Sequence, residues 1–175
     1  MINRMLGAAM LKVGTYEEVE ADTKATVQAM LVVAIVALAT GLGTLATGGV
    51  KGLVGGFVVG LLGWALWAWL TFIIGTTLFK TPETKANWGE MARVLGFAQA
   101  PGVLRVLGSI PGVGPAIFFI VSVWQLAAMV IAVRQGLDYT STWRAIGVVV
   151  VGFIPYAVLM IVLSLLISPT PGAAQ

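Results

Sequence analysis

Residues able to do chemistry are few in this 175-residue chain. It holds no Cys and no His, which removes thiolate and imidazole metal ligands and the usual proton-transfer base. Its five Ser residues have no His and no nearby Lys to activate them, and no Asp or Glu lies in the interior of an apolar run. The sequence therefore predicts a non-enzymatic protein with no cofactor and no metal site.

Two strongly polar but uncharged side chains lie near the middle of apolar segments, the amides of Gln99 and Gln125. An amide in hydrocarbon needs a partner, so each is expected to pair with the other or with backbone freed near Pro101. We interpret them as the polar core of a bundle, with a transport site as the alternative. Glu90 and Arg93, three residues apart, have the spacing of a helix-surface ion pair.

The elements that position these residues are membrane-length apolar runs. Apolar residues make up 59% of the chain, charged residues 10%, and the mean hydropathy is +1.00. These values exclude a soluble domain and predict an all-α protein, a polytopic transmembrane helical bundle of five spans. Residues 1–26 precede this five-span membrane domain, 27–168, and residues 169–175 form a tail that we expect to be disordered. The spans are expected at about 27–48, 52–79, 88–110, 116–133 and 145–167.

The basic residues indicate the orientation. With a cytoplasmic N-terminus, eight of the ten Lys and Arg lie inside, and Lys51 and Arg105 lie outside. This predicts a multi-pass protein, in a prokaryotic inner membrane, whose C-terminus lies outside. A re-entrant third segment is the alternative, because Pro101 and Gly102 interrupt that segment. The basic residues are dispersed, so a nucleic-acid partner is not expected.

The N-terminal region is polar enough to lie at the membrane surface. Residues 1–13 repeat apolar side chains at helical spacing, which predicts an amphipathic helix lying flat on the bilayer. A signal peptide is the competing interpretation, but Lys12 ends the apolar stretch early. Thr15 and Glu18 have the spacing of a capping box that opens a short acidic helix. The acidic side chains are candidate contacts for protein partners: Glu17, Glu18, Glu20 and Asp22.

Small residues recur at every fourth position where the second span begins, at Gly52, Gly56 and Gly60. Such a ridge lets two helix backbones approach closely in lipid. We expect it to pack the second span against the first, with homo-oligomer formation as the alternative.

Three stretches resemble the YIP (Ypt/Rab-interacting protein) family in its bacterial and archaeal branch. They are "TYEEVEADTKATVQAMLVVAIVAL" from Thr15, "RVLGFAQAPGVL" from Arg93 and "AVRQGLDYTSTWRAIGVVVVGF" from Ala132. The resemblance implies five helices and a cytoplasmic N-terminus, and eukaryotic members are associated with small GTPases and vesicle traffic. The eukaryotic signature Asp-Leu-Tyr-Gly-Pro is not continued here after the tyrosine. The positions that match the family signature are Tyr16, Gly96, Phe97 and Pro101.

These features favour a membrane scaffold or accessory protein. It would organise partners or the bilayer through its cytoplasmic face, in contact with membrane lipids and with other membrane or cytoplasmic proteins. A small transporter or channel around the broken third span is one alternative. A subunit of a larger membrane complex is the other.

Overall fold

The fold is helical throughout the residues that the structure describes. The computed structural model describes residues 1–43 and 45–167, so the tail 169–175 lies outside them. The predicted all-α helical bundle is confirmed. A 3₁₀ segment, Ala100–Ser109, lies between the fifth and sixth α-helices. The α-helices are α1 Ile2–Ala9, α2 Val13–Ala21, α3 Ala25–Gly43, α4 Leu45–Thr77, α5 Trp88–Phe97, α6 Gly114–Gly136 and α7 Thr142–Ile167.

Four helices of the described chain are long and apolar enough to cross a membrane. They are α3, α6, the part Leu53–Thr77 of α4 and the part Thr142–Val162 of α7. The sequence led us to expect five continuous spans, and the third of these is wrong. That segment is divided into α5 and the 3₁₀ segment. Pro101 has no N–H to donate and its ring clashes with a preceding helical turn, so the α-helix ends before it.

The divided third segment nevertheless crosses the whole bundle. At one end, Gly136 of α6 packs so closely on α5 that an added Cβ would lie 2.9 Å from Met91 Sδ. At the other end, an added Cβ at Gly114 would lie 2.5 Å from the carbonyl oxygen of Gly108. Ten α-helical and ten 3₁₀ residues extend about 35 Å in total. That length is similar to the thickness of a hydrocarbon core, ~30 Å.

Helix α5 is the centre of the bundle. All seven residues from Met91 to Phe97 are buried, because α2, α3, α4 and α6 all pack on this short helix. Its N-terminus has a capping box, in which Asn87 Oδ1 accepts from the Glu90 N–H at 3.0 Å and Glu90 Oε2 accepts from the Asn87 N–H at 2.8 Å. Glu90 is therefore used in this cap, and the expected ion pair with Arg93 is wrong.

Helices α1 and α2 form an N-terminal layer, residues 2–21, which packs on α5, α6 and the 3₁₀ segment. Helix α2 begins at Val13 and carries no side-chain cap, so the expected Thr15–Glu18 capping box is wrong. Thr15 is already inside the first turn, and its side chain packs against Gly7 of α1. Glu18 forms an ion pair with Arg4 instead, at 2.8 Å.

Candidate functional site

A cavity of about 270 Å³ lies between the helices of the bundle and is partly open, since Gly56 on its wall is exposed. Its walls come from α3, α4, α6, α7 and the third segment, so it occupies the space that these elements surround. Trp64 closes part of its wall, and its indole Nε1 donates to the Ala92 carbonyl oxygen of α5 at 3.1 Å. The polar side chains among the lining residues are Thr40, Gln99, Arg105, Gln125 and Tyr156.

The two amides identified in the sequence meet at this cavity. Gln125 Nε2 donates to Gln99 Oε1 at 2.8 Å and to the Gln99 main-chain carbonyl at 3.1 Å. Gly102 makes room for this contact, since an added Cβ would lie 2.5 Å from both Gln125 Nε2 and Val36 Cγ1. The structure thus joins α6 to the break in the third segment through one side-chain amide.

Arg105 and Trp67 bring unused hydrogen-bond donors to the cavity. Arg105 Nη2 donates to Ser122 Oγ at 3.1 Å, and its guanidinium lies 5.8 Å from the centre of the Phe118 ring. Its Nε is buried without a partner in the described part of the chain, and so is Trp67 Nε1. Trp67 is only 4% exposed, and its ring packs on Phe153 at 4.9 Å between centroids. Buried donors in folded proteins are nearly always paired, so these two stand out.

The four signature positions all lie in packed interfaces. Gly96 allows α5 to contact α3, since an added Cβ would lie 2.7 Å from that of Ala29. Phe97 is fully buried, and Pro101 is buried at the start of the 3₁₀ segment. Tyr16 is fully buried in the N-terminal layer, and its hydroxyl donates to a carbonyl of α1 at 2.9 Å. Gly96, Phe97 and Pro101 lie along the divided third segment, and Tyr16 lies apart from them in α2.

Comparison with known families gives a match over most of the chain. Residues 13–165 match the family model of the Yip1 domain. The chain belongs to the Yip1 family. No curated protein and no solved structure matches it. With its apolar helices, this Yip1 protein is a multi-pass integral membrane protein.

Four acidic side chains of this Yip1 chain are candidate contacts for partners, and three of them already pair with residues of the N-terminal layer or of the helices next to it. Arg4 of α1 pairs with Glu18 at 2.8 Å and with Asp22 at 2.9 Å. The same guanidinium holds the pKa of the Asp22 carboxyl below its usual range. Glu17 accepts a hydrogen bond from Gln135 Nε2 of α6 at 3.0 Å. These contacts fix α1 and α2 in place.

The fourth acid, Glu20, lies beside the buried cation of α5. Arg93 is 5% exposed, and its Nε donates to the main-chain carbonyl oxygens of Val19 at 3.0 Å and Glu20 at 3.2 Å. It therefore binds the C-terminal end of α2, where helix carbonyls lack helical partners and favour a cation. Burial raises the pKa of the Glu20 carboxyl to about 7, and the charges of Asp138 and Glu90 add to this effect.

The glycine ridge of α4 has two different surroundings. Gly60 lies against α3, where an added Cβ would be 3.2 Å from that of Ala37. Gly56 lines the cavity, and no atom of the described residues lies within 4 Å of an added Cβ there. Gly52 lies outside the residues whose packing the structure describes. Packing of the second span on the first accounts for Gly60, whereas Gly56 makes no such contact with the described part of α3.

Sequence reasoning missed Arg105 and Trp67 as cavity residues. Arg105 entered it only as a charge that indicates topology. A signal for Arg105 was available, because an ionisable side chain within a membrane segment marks a functional position by default. No local pattern marks Trp67, since its unpaired Nε1 depends on how α4 and α7 meet.

Proposed function

We propose that this Yip1 protein is a non-enzymatic membrane scaffold or accessory protein that organises partners or the bilayer through its cytoplasmic face. The observation that carries the proposal is an apolar stripe on α1. Ile2, Leu6 and Met10 repeat every four residues on one side of the helix and are 68%, 55% and 57% exposed. Exposed apolar patches on ordered elements are typical of contact surfaces for proteins or membranes.

The stripe is presented by a helix held firmly to the bundle. Trp124 Nε1 of α6 donates to the Ala9 carbonyl oxygen at the end of α1 at 2.7 Å. Arg4 joins α1 to α2 through its two ion pairs, and Tyr16 adds a buried hydrogen bond. A preformed surface loses little conformational entropy on binding, which favours a docking role over that of a free tail.

The cytoplasmic assignment of this surface rests on the distribution of basic residues. The N-terminal layer contains Arg4 and Lys12, and Lys24 follows it. Short cytoplasmic segments carry an excess of Lys and Arg. An exposed apolar stripe beside polar side chains suits the membrane surface and proteins bound to it.

The test is co-purification from native membranes in mild detergent, with quantification by mass spectrometry. The variant Leu6→Ser with Met10→Ser removes the stripe, and Val150→Ser with Ile154→Ser removes an exposed pair of the same spacing on α7. We expect the first pair to reduce specific partners at least tenfold and the second to retain them, with equal membrane insertion. Identical partner sets for both variants would refute the docking role.

A transporter is the second candidate, favoured by the cavity. Transport requires a polar path through the bundle, and next to the cavity α5 contributes the fully buried apolar side chains Met91, Leu95 and Phe97. This layer supports the scaffold over the transporter. The remaining candidate is a subunit of a larger membrane complex, and a mass measurement of the purified protein tests it. The mass of such a complex would exceed the 18.3 kDa of the monomer, and other chains would be present.

A further inference from the structure

We propose that the cavity binds the acidic group of a membrane amphiphile, a carboxylate or phosphate attached to a hydrocarbon chain, with Arg105 as its counter-charge. This site is separate from the stripe on α1 and does not depend on the scaffold role.

The first argument is the surplus of hydrogen-bond donors. Arg105 Nε and Trp67 Nε1 are buried without partners within the described residues, and neither atom can accept a hydrogen bond. Tyr156 also lines the cavity, and its ring packs edge-on against Trp67 at 5.3 Å between centroids. The described residues of the lining include no carboxylate, so none of them balances the positive charge of Arg105. An occupant that accepts hydrogen bonds and carries negative charge matches the chemistry of these groups.

The second argument is the apolar wall that surrounds the donors. Val33, Val36, Met129 and Phe153 supply hydrocarbon and aromatic surface, which suits a chain and not a fully hydrated ion. A volume of about 270 Å³ is close to the lower end of ligand pockets, ~300 Å³. It accommodates an acidic group and the first part of one chain. The rest of the chain would extend along Gly56, where no atom of the described residues lies within 4 Å of an added Cβ.

The third argument is that Arg105 is held in position without being neutralised. Ser122 accepts from Nη2, and the Phe118 ring lies beside the guanidinium. These two contacts orient the side chain while leaving Nε free for another acceptor. A cation retained within an apolar bundle is costly unless it is paired, which makes an anionic occupant the economical solution.

The experiment measures binding of parinaric acid and its methyl ester to the full-length protein in detergent, by energy transfer from tryptophan. The two probes share one chain and differ in charge. We expect the acid to bind at least tenfold more tightly than the ester. Arg105→Gln should reduce acid affinity about tenfold to a hundredfold, with little change for the ester, because it removes a charge-assisted contact. Arg144→Gln, which removes an exposed charge, is the matched control and should change neither.

A second pair of variants tests the cavity independently of charge. At both Gly56 and Gly55 an added Cβ meets no atom of the described residues within 4 Å, but of the two Gly56 is the one that lines the cavity. Gly56→Leu should therefore weaken acid and ester alike at least tenfold, and Gly55→Leu should leave both unchanged. Thermal melting of each variant establishes that it is folded before binding is measured.

Competition against bound parinaric acid identifies the source of the acidic group. Displacement by oleate indicates a fatty carboxylate, displacement by phosphatidylglycerol indicates a phospholipid, and either supports the site. Displacement by inorganic phosphate alone, equal binding of acid and ester, or equal affinity of the Arg105→Gln and Arg144→Gln variants would overturn the proposal. No partner protein is used, so this outcome is independent of the docking test on α1.

Discussion

Replacing Arg93 by Ala should release α2 from α5 while leaving the spanning helices assembled. The guanidinium is 5% exposed and its Nε donates to two carbonyls at the end of α2, more than 70 residues away in sequence. A hydrogen bond to a charged group contributes about 1.5–3 kcal/mol, and a cation at a helix C-terminus adds about 0.3–1 kcal/mol. Loss of these contacts should lower the free energy of opening α2 by about 2–4 kcal/mol.

Proteolysis with endoproteinase Lys-C measures this opening, because Lys12 and Lys24 flank α2 and the enzyme does not cut at Arg. When opening is fast relative to cleavage, the cleavage rate follows the open population. A change of about 2–4 kcal/mol therefore predicts a rate increase of roughly 30-fold to several hundredfold at these two lysines. Arg93→Lys keeps the charge but loses the forked donor, so its rate should fall between those of the wild type and Arg93→Ala.

The control is Arg144→Ala, at an exposed position near the start of α7. Its cleavage pattern at Lys12 and Lys24 should equal that of the wild type. Equal rates for Arg93→Ala and Arg144→Ala would refute the reasoning, because they would show that the hydrogen bonds to α2 contribute nothing to its attachment.

Three further predictions concern the same region. Gly96→Ala should lower the melting temperature, with a cost of about 1–3 kcal/mol from overpacking against Ala29, while Gly14→Ala, where an added Cβ meets no atom within 4 Å, should be neutral or stabilising. Tyr16→Phe removes a buried hydrogen bond and should cost about 1–2 kcal/mol, measured by the same melting experiment. The pKa of the Glu20 carboxyl is raised to about 7 in the folded protein, so the folded state favours the protonated form. The stability that this carboxyl contributes is fully present below the ordinary carboxyl pKa of ~4.5 and is lost as pH rises through 7. Opening of α2, measured by hydrogen exchange corrected for the intrinsic pH dependence, should increase over that range, and Glu20→Gln should flatten the change.

The class of fold and most helix positions follow from the sequence, because long apolar runs without a polar face have few other solutions in lipid. The third segment was correctly identified as weak, since Pro101 and Gly102 are local signals of a broken helix. Its division into ten α-helical and ten 3₁₀ residues depends on the surrounding helices and is not contained in that local pattern.

The long-range pairs were harder to predict than the elements. Arg93 and Glu90 have helical spacing, so a local ion pair was the natural expectation. Local spacing carries no information about the end of α2, which packs on the same face of α5 and offers unpaired carbonyls to Arg93. The same limitation explains Arg4, whose partners Glu18 and Asp22 are known only once α1 folds back on α2.

The polar cavity is a consequence of the broken segment. In a continuous α-helix the Gln99 carbonyl would be committed to the N–H four residues later, whereas here it accepts from the Gly102 N–H at 2.7 Å in 3₁₀ geometry. The same carbonyl also accepts from Gln125 Nε2 at 3.1 Å, which draws α6 to the break. Gly102 has no side chain to prevent this approach. The residues that interrupt the helix therefore create the one place in the described bundle where amides, a guanidinium and an unpaired indole N–H line the same cavity.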